Sequence, residues 1–252
     1  MIADALVYAG ASLYGGGRTL EQLLADGTAI GLDHLVAAPA KPRDYDLAAA
    51  SERLAAACGA SRGRAVCLAR VDPWQDDAAG RLGELLGHPT VRGLLLHPWE
   101  ETFPANHARA VALASQAAAA GYPVVIEAGH PLVAEALSLA DLARRVDGVV
   151  VMTRGGQVNM AGLAQQSADL ALEAAPNLRA LSAGMYRQDW LEGCVRRFGP
   201  ERLLHGSCAP VFDLGYELER CRHAQMDDAA RAAVLGGNAA ELFGLGTLAS
   251  EG

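Results

Sequence analysis

Eight short apolar runs, spread along the whole chain and separated by amphipathic segments, constrain the fold more than any other feature. They are IADALVY (2–8), DHLVAAP (33–39), RAVCLAR (64–70), VRGLLLH (91–97), YPVVIEA (122–128), DGVVVMT (147–153), NLRALSA (177–183) and ERLLHGS (201–207). Each is nearly continuous in apolar residues and bounded by Gly, Pro, Asp or Asn. A continuous run marks a strand covered on both faces, as in parallel sheets. The segments LEQLLADG (20–27), AAGRLGELLG (78–87), NHARAVALASQAAAAG (106–121) and PLVAEALSLADLARRV (131–146) read as helices. Gly121 is placed as the C′ glycine of the third, and Pro131 at the N-terminus of the fourth. Asn238, after Gly236 and Gly237, reads as the N-cap of a final helix.

Eight strands alternating with helices within 252 residues predict a single closed (β/α)8 TIM barrel spanning 1–252 as one domain. An open doubly wound sheet is the alternative. That fold would carry GxGxxG after its first strand. GASLYGGGRT (10–19) is glycine-rich but lacks that spacing, and is expected to form a mobile loop over the barrel mouth.

A net charge of −8 and a pI near 5.3 argue against a nucleic-acid partner. Hydrophobic residues make up 51%, enough for a large core, and mean hydropathy is +0.13. No uninterrupted membrane-length run occurs, so no membrane partner is expected. MIADALVYAG lacks a basic n-region and reads as a first strand, not a signal peptide. Cys58, Cys67, Cys194, Cys208 and Cys221 form no CxxC pair, which suits reduced thiols in a cytoplasmic protein. Lysine is almost absent and arginine carries nearly all positive charge, which reads as a bias of composition.

In such a barrel the site lies at the C-terminal strand ends. Those ends deliver Tyr8; Lys41, Arg43 and Tyr45; Arg70, Asp72, Trp74 and Gln75; His97, Trp99, Glu100 and Glu101. The remaining four deliver Glu127 and His130; Thr153, Arg154, Gln157 and Asn159; Ser182, Tyr186 and Arg187; Ser207 and Cys208. Any one of these serves equally as a loop anchor. Their clustering at one end carries the reading.

In this order, VRGLLLHPWEE, YPVVIEAGHP, VVVMTRGG, RLLHGSCAP and VLGGNAAELFGL resemble the amidohydrolase-related (amidohydrolase 2) barrels, over residues 2 to about 245. That group includes aminocarboxymuconate-semialdehyde decarboxylase and related decarboxylases, hydratases and hydrolases. The resemblance implies a divalent metal, often zinc. Its ligands would be a His-x-His pair ending strand one, histidines ending strands five and six, and an aspartate on strand eight. The matching positions here are Leu6, Tyr8, Glu127, Thr153 and Cys208, and all five depart from the pattern. A catalytic zinc takes about three protein ligands plus an open position. No metal cofactor is therefore expected. A site rebuilt from Glu127, His97, Cys208 and His130 remains an alternative.

Glu127 and His97 are the expected catalytic residues. Burial at a strand end would raise the Glu127 carboxyl and suit it to proton transfer; a structural ion pair with Arg70, Lys41 or Arg154 is the competing reading. His97 is expected to exchange protons near neutral pH. Tyr8, Lys41, Arg70, Trp74, Trp99, Thr153, Arg154, Tyr186 and Cys208 are expected to bind substrate. Trp74 and Trp99 would form an aromatic wall. Lys41, Arg70 and Arg154 would hold an anion, or else neutralise Asp72, Glu100, Glu101 and Glu127. Cys208 reads as a buried filler, since His205 points to the opposite face of its strand.

These residues suggest a metal-independent hydrolase or lyase, of decarboxylase, isomerase or cyclase type, acting on a small anionic or aromatic molecule. An inactive barrel that binds a ligand or pairs with an active relative is the alternative, and a metalloenzyme with a rearranged site is a third. The expected partner is a small molecule, and a homodimer is compatible with the sequence.

Overall fold

The apolar runs pair in chain order as β1 (Ala3–Ala9), β2 (His34–Pro39), β3 (Ala65–Arg70), β4 (Val91–Leu96), β5 (Val124–Ile126), β6 (Val150–Met152), β7 (Leu178–Leu181) and β8 (Leu203–Leu204). A computed structural model describes residues 1–156, 161–185 and 187–246. Every ladder is parallel. The sheet closes on itself. The Ala5 N–H donates to His205 O (3.0 Å), Cys208 N–H to Leu6 O (2.8 Å) and Tyr8 N–H to Ala209 O (2.7 Å). This closure rules out the open doubly wound sheet.

Helices α1 (Leu20–Ala29), α2 (Leu47–Ala60), α3 (Ala78–Leu86), α4 (Ala108–Ala119), α5 (Ala136–Ala143), α6 (Ala161–Ala174), α7 (Gln188–Phe198) and α8 (Leu214–Arg222) follow the strands in turn. Helices α9 (Asp228–Ala232) and α10 (Asn238–Phe243) complete the chain order. Among the described residues no helix is long and apolar enough to cross a membrane. All five cysteines are free and buried.

The continuous apolar runs are explained by two separate cores. Leu6, Val36, Leu68, Leu95, Val125, Val151 and Leu204 fill the barrel interior, with Phe243 from α10 among them. Val7, Leu35, Cys67, Leu94, Ile126, Met152 and Leu203 pack outward against the helices. Strand residues on both faces are therefore dry.

One residue interrupts this pattern. Asp4 is fully buried in an otherwise apolar strand. Its carboxylate accepts the N–H of Leu6 (3.0 Å) and that of Ser207 (3.0 and 3.1 Å to its two oxygens). Between Asp4 and Val7 the β1–β2 register slips, with one extra residue on β1. Such a bulge shifts the in–out alternation by one. Ala3, Ala5, Leu6 and Tyr8 consequently join the inner cluster, while Val7 and Ala9 face outward. Strict alternation from Ala3 would have turned Tyr8 away from the mouth.

Two expected helix starts are corrected. Helix α5 begins at Ala136, not at Pro131. Gly129 N–H donates to Ala134 O and Ala134 N–H to His130 O, wrapping 129–134 into a turn before the helix. Asn238 is not an N-cap. It already has helical angles (φ −64°, ψ −39°), and a π-helical turn over Ala233–Gly237 runs into it. Its amide instead donates to Pro200 O and Leu203 O, both at 2.7 Å. Gly121 has φ +81°, as a C′ glycine requires.

Burial pushes the Asp4 carboxyl up from 3.8 to about 6, against the pull of Ser207 and Leu6. Folding thus favours the protonated form. That contribution is complete below about pH 4 and is lost as the pH climbs through 6, about 3 kcal/mol in all. Asp4→Asn keeps an acceptor oxygen and cannot ionise. Urea unfolding across this range should show the variant losing that part of the wild-type slope; parallel pH profiles would contradict the assignment.

Candidate active site at the barrel mouth

A cavity of about 670 Å³ opens at the C-terminal strand ends. Tyr8, Lys41, Arg70, His97, Trp99, Glu127 and Arg154 all line it. A second hollow of about 600 Å³, between α1 and the loop before α8, contains none of these side chains.

Glu127 follows β5 and is almost wholly buried. Its N–H is tied to Leu96 O (2.9 Å), which aims the side chain inward. Oε1 accepts from the Tyr8 hydroxyl (2.8 Å) and the Arg154 guanidinium (3.3 Å); Oε2 accepts from Thr153 Oγ1. Thr153 Oγ1 is itself fixed by the Ala128 N–H (3.0 Å). A carboxylate offers about four acceptor positions, so three donors leave about one for a ligand. Of the three cations weighed as ion-pair partners, the structure supplies Arg154.

Arg154 reaches Glu127 from a backbone in the left-handed region (φ +54°), with Gly155 following at φ +56°. A Cβ at Gly155 would lie 2.3 Å from Met185 Sδ and 2.7 Å from Trp190, so only glycine fits there. Burial pulls the Arg154 guanidinium down, but Glu127 outweighs it and holds it charged. Burial and the nearby Glu127 charge push the Tyr8 phenol well above 10. Tyr8 is therefore a neutral donor. Burial, then Glu127, also pushes the Cys208 thiol well above 9, consistent with a buried filler and not with a nucleophile.

The other two cations pair with other carboxylates. Arg70 pairs with Glu100 and with Glu101 (2.8 Å), and donates to Pro39 O (3.0 Å). Burial opposes its charge; Glu101 and Glu100 outweigh burial and keep it ionised. Lys41 donates to Glu100 O and sits 3.3 Å from Glu101 Oε1. Cations and carboxylates thus match one for one: Lys41 and Arg70 with Glu100 and Glu101, Arg154 with Glu127. The neutralising role weighed against anion binding is the one the geometry shows for Lys41 and Arg70. Glu100 and Glu101 were legible in sequence as strand-end carboxylates open to neutralisation by these cations.

His97 Nδ1 accepts the Glu100 N–H (3.2 Å), so the neutral ring carries its proton on Nε2. Burial, then Arg70 and Arg154, hold the ring well below its ordinary 6.5. The expectation of proton exchange near neutrality is corrected: this site excludes a second layer of positive charge.

A sequence profile described as Amidohydrolase, of the amidohydrolase 2 group, matches residues 10–245. The chain belongs to this amidohydrolase family. No curated protein matches it by sequence. Among solved structures it resembles a putative 2-pyrone-4,6-dicarboxylic acid hydrolase from Pseudomonas putida (17% identity, TM-score 0.75, covering 97% of this chain and 98% of that one). It also resembles 2,6-dihydroxybenzoate decarboxylase complexed with 2,6-dihydroxybenzoate (15%, 0.73, 97% and 98%). A third likeness is to a dihydroxybenzoic acid decarboxylase from a Polaromonas species, with bound manganese and 2-nitroresorcinol (13%, 0.70, 91% and 87%). At these identities the likeness is one of fold.

The manganese-bound decarboxylase overturns the expectation of a family member without a cofactor, and that expectation is withdrawn. The family's five ligand positions in this chain nevertheless do not fit such an ion. Leu6 has no donor atom, and three hydrogen-bond donors, one of them a guanidinium, hold Glu127. The rebuilt site is not assembled either. Among the described residues no group of three His, Cys, Asp or Glu converges on a metal position. His130 stacks on Trp99 instead, with ring centroids 3.9 Å apart.

One further expectation changes in this amidohydrolase fold. Trp99 lines the cavity, but Trp74 does not. The Trp74 indole N–H donates to Thr102 O (3.3 Å) and its ring packs on His107 (4.8 Å), so the two tryptophans form no common wall. Tyr186, Gln157 and Asn159 lie outside the described residues. The glycine-rich segment does reach the mouth, where Ser12, Tyr14 and Gly15 to Gly17 contribute to the lining. Tyr14 was missed because nothing in its local pattern distinguishes it from a loop filler.

Because the folded state disfavours the imidazolium, His97 adds stability above about pH 6.5 that is lost on acidification. Nitrogen-15 imidazole shifts should report a neutral Nε2–H tautomer at pH 6.5. A midpoint for His97 at 6.5 or above would contradict this account of the site.

Proposed function

We propose that the mouth cavity is the active site of a hydrolase or lyase acting on a small, flat molecule with a carbonyl or a single carboxylate. The observation that carries this reading is the charge balance. Arg70 and Lys41 are consumed by Glu100 and Glu101, whereas the Arg154 side chain is 28% exposed and has one carboxylate partner. Arg154 is thus the cation suited to one incoming anionic group. Trp99, itself 56% exposed, and Tyr14 offer ring faces at the rim for a planar ligand. The 2,6-dihydroxybenzoate named for the resembling decarboxylase is planar and carries one carboxylate.

In this reading Glu127 does the proton transfer. Its remaining acceptor position takes a proton from a water or a substrate hydroxyl and returns it to the leaving group or ring carbon. Tyr8, Thr153 and Arg154 hold the carboxylate still during both transfers. The neutral His97 Nε2–H donates to a substrate oxygen where negative charge develops.

A thermal-shift screen of hydroxybenzoates and pyrone carboxylates, with and without added divalent metal, should find a stabilising ligand that is then consumed. Glu127→Gln should lower kcat on it by about 100-fold while KM moves little. Full turnover in Glu127→Gln would remove Glu127 from the chemistry. A ligand recovered unchanged would mark a binding protein.

A further inference from the structure

The 21 cationic side chains of this protein are twenty arginines and one lysine. The single lysine, Lys41, is 7% exposed and lines the mouth cavity. Arginine supplies charge everywhere else, including Arg70 and Arg154 in this same cavity. A need for charge does not account for the exception. What lysine adds is a primary amine that can give up a proton and attack a carbon, which a guanidinium in a protein does not do.

The surroundings suit that chemistry. Lys41 Nζ lies 3.3 Å from Glu101 Oε1, donates to the Glu100 carbonyl and sits 5.2 Å from the Tyr45 ring centroid. Glu101 is thus a proton acceptor in contact with the ammonium. Arg70 braces the same Glu101 oxygen at 2.8 Å. His97 lines the same cavity and carries an Nε2–H donor for a carbonyl oxygen.

We propose that Lys41 is a nucleophilic amine that forms a Schiff base with the aldehyde or ketone carbon of a small molecule in the mouth cavity. The proposal rests on the cavity being a small-molecule site and is independent of the role given to Glu127. The ammonium first passes one proton to Glu101. The amine lone pair adds to the carbonyl carbon, and the carbonyl π pair moves to oxygen. A second proton moves from nitrogen to that oxygen, giving a carbinolamine. Glu101 then returns its proton to the hydroxyl, which leaves as water as the nitrogen lone pair closes the C=N bond. The net change is ammonium plus carbonyl to protonated imine plus water, with charge conserved and nothing oxidised or reduced. Burial pushes the Glu101 carboxyl up, which helps it take the proton.

The single lysine makes the test clean. The full chain is incubated with para-carboxybenzaldehyde and sodium cyanoborohydride, which reduces an imine to a stable secondary amine, and the product is mapped by peptide mass spectrometry. The competing primary amine is the Met1 α-amine. We expect Lys41 to be modified ahead of Met1 in the folded protein, the adduct to be lost in Lys41→Arg with an unchanged circular dichroism spectrum, and its formation to slow in Glu101→Gln. Modification of Met1 alone, or equal Lys41 reactivity in folded and urea-unfolded chains, overturns the proposal. Benzoate, which has no carbonyl able to form an imine, separates the two readings by thermal shift. Stabilisation without an adduct keeps the binding site and removes the nucleophile; neither stabilisation nor adduct removes both.

Discussion

The buried carboxylate of Asp4 sets the geometry on which the mouth depends. It bonds the Leu6 N–H within its own strand and the Ser207 N–H beside β8. The first contact stabilises the extra residue of the β1 bulge. The second ties the first strand to the segment after the last, across the seam where the barrel closes. Through the bulge, Leu6 and Tyr8 both turn inward, and the Tyr8 hydroxyl reaches Glu127. A polar group in a dry layer is costly unless bonded. Two backbone donors that would otherwise be stranded at the irregularity offset part of this cost.

The charges at the mouth follow the same logic of satisfaction in a dry setting. Arg70 is held between Glu100 and Glu101, and Lys41 shares Glu101. Removing one partner from such a group typically costs about 3–5 kcal/mol, because the other charge is left buried and alone. Burial, with Arg70 and Arg154 beside it, keeps the His97 ring neutral. Each side chain's protonation therefore belongs to the cluster. Glu127 stands apart, bonded to Tyr8, Thr153 and Arg154.

Much of the architecture was legible in the sequence. Seven of the eight strands lie within the apolar runs and β1 overruns its own by one residue; Tyr8, Lys41, Arg70, His97, Glu127 and Arg154 converge because each lies at or just past a strand end. Local pattern carries that much, since burial on both faces leaves a continuous apolar signature. It does not carry the bulge, which depends on Ser207, 203 positions away from Asp4. Nor does it separate Trp74 from Trp99, because both sit just past a strand end and only the packing of neighbouring loops sends one to His107 and the other to His130. The cofactor expectation failed for a different reason: loss of ligand residues was read as loss of metal use, whereas the manganese-bound decarboxylase shows what this fold can carry.

The sequence by itself determined a single eight-stranded barrel, the amidohydrolase resemblance and the set of side chains delivered to one end. Only the tertiary structure decided which of them meet. Tyr8 and Glu127 bond across 119 positions, and Lys41 and Glu101 across 60. Strand periodicity says which way a side chain points, but an ion pair or a hydrogen bond needs two groups within about 3 Å, and that spacing is set by register, bulge and closure acting together. For the same reason Lys41 reads in the sequence as a strand-end cation for an anion, and in the fold it is buried against the Glu101 carboxylate.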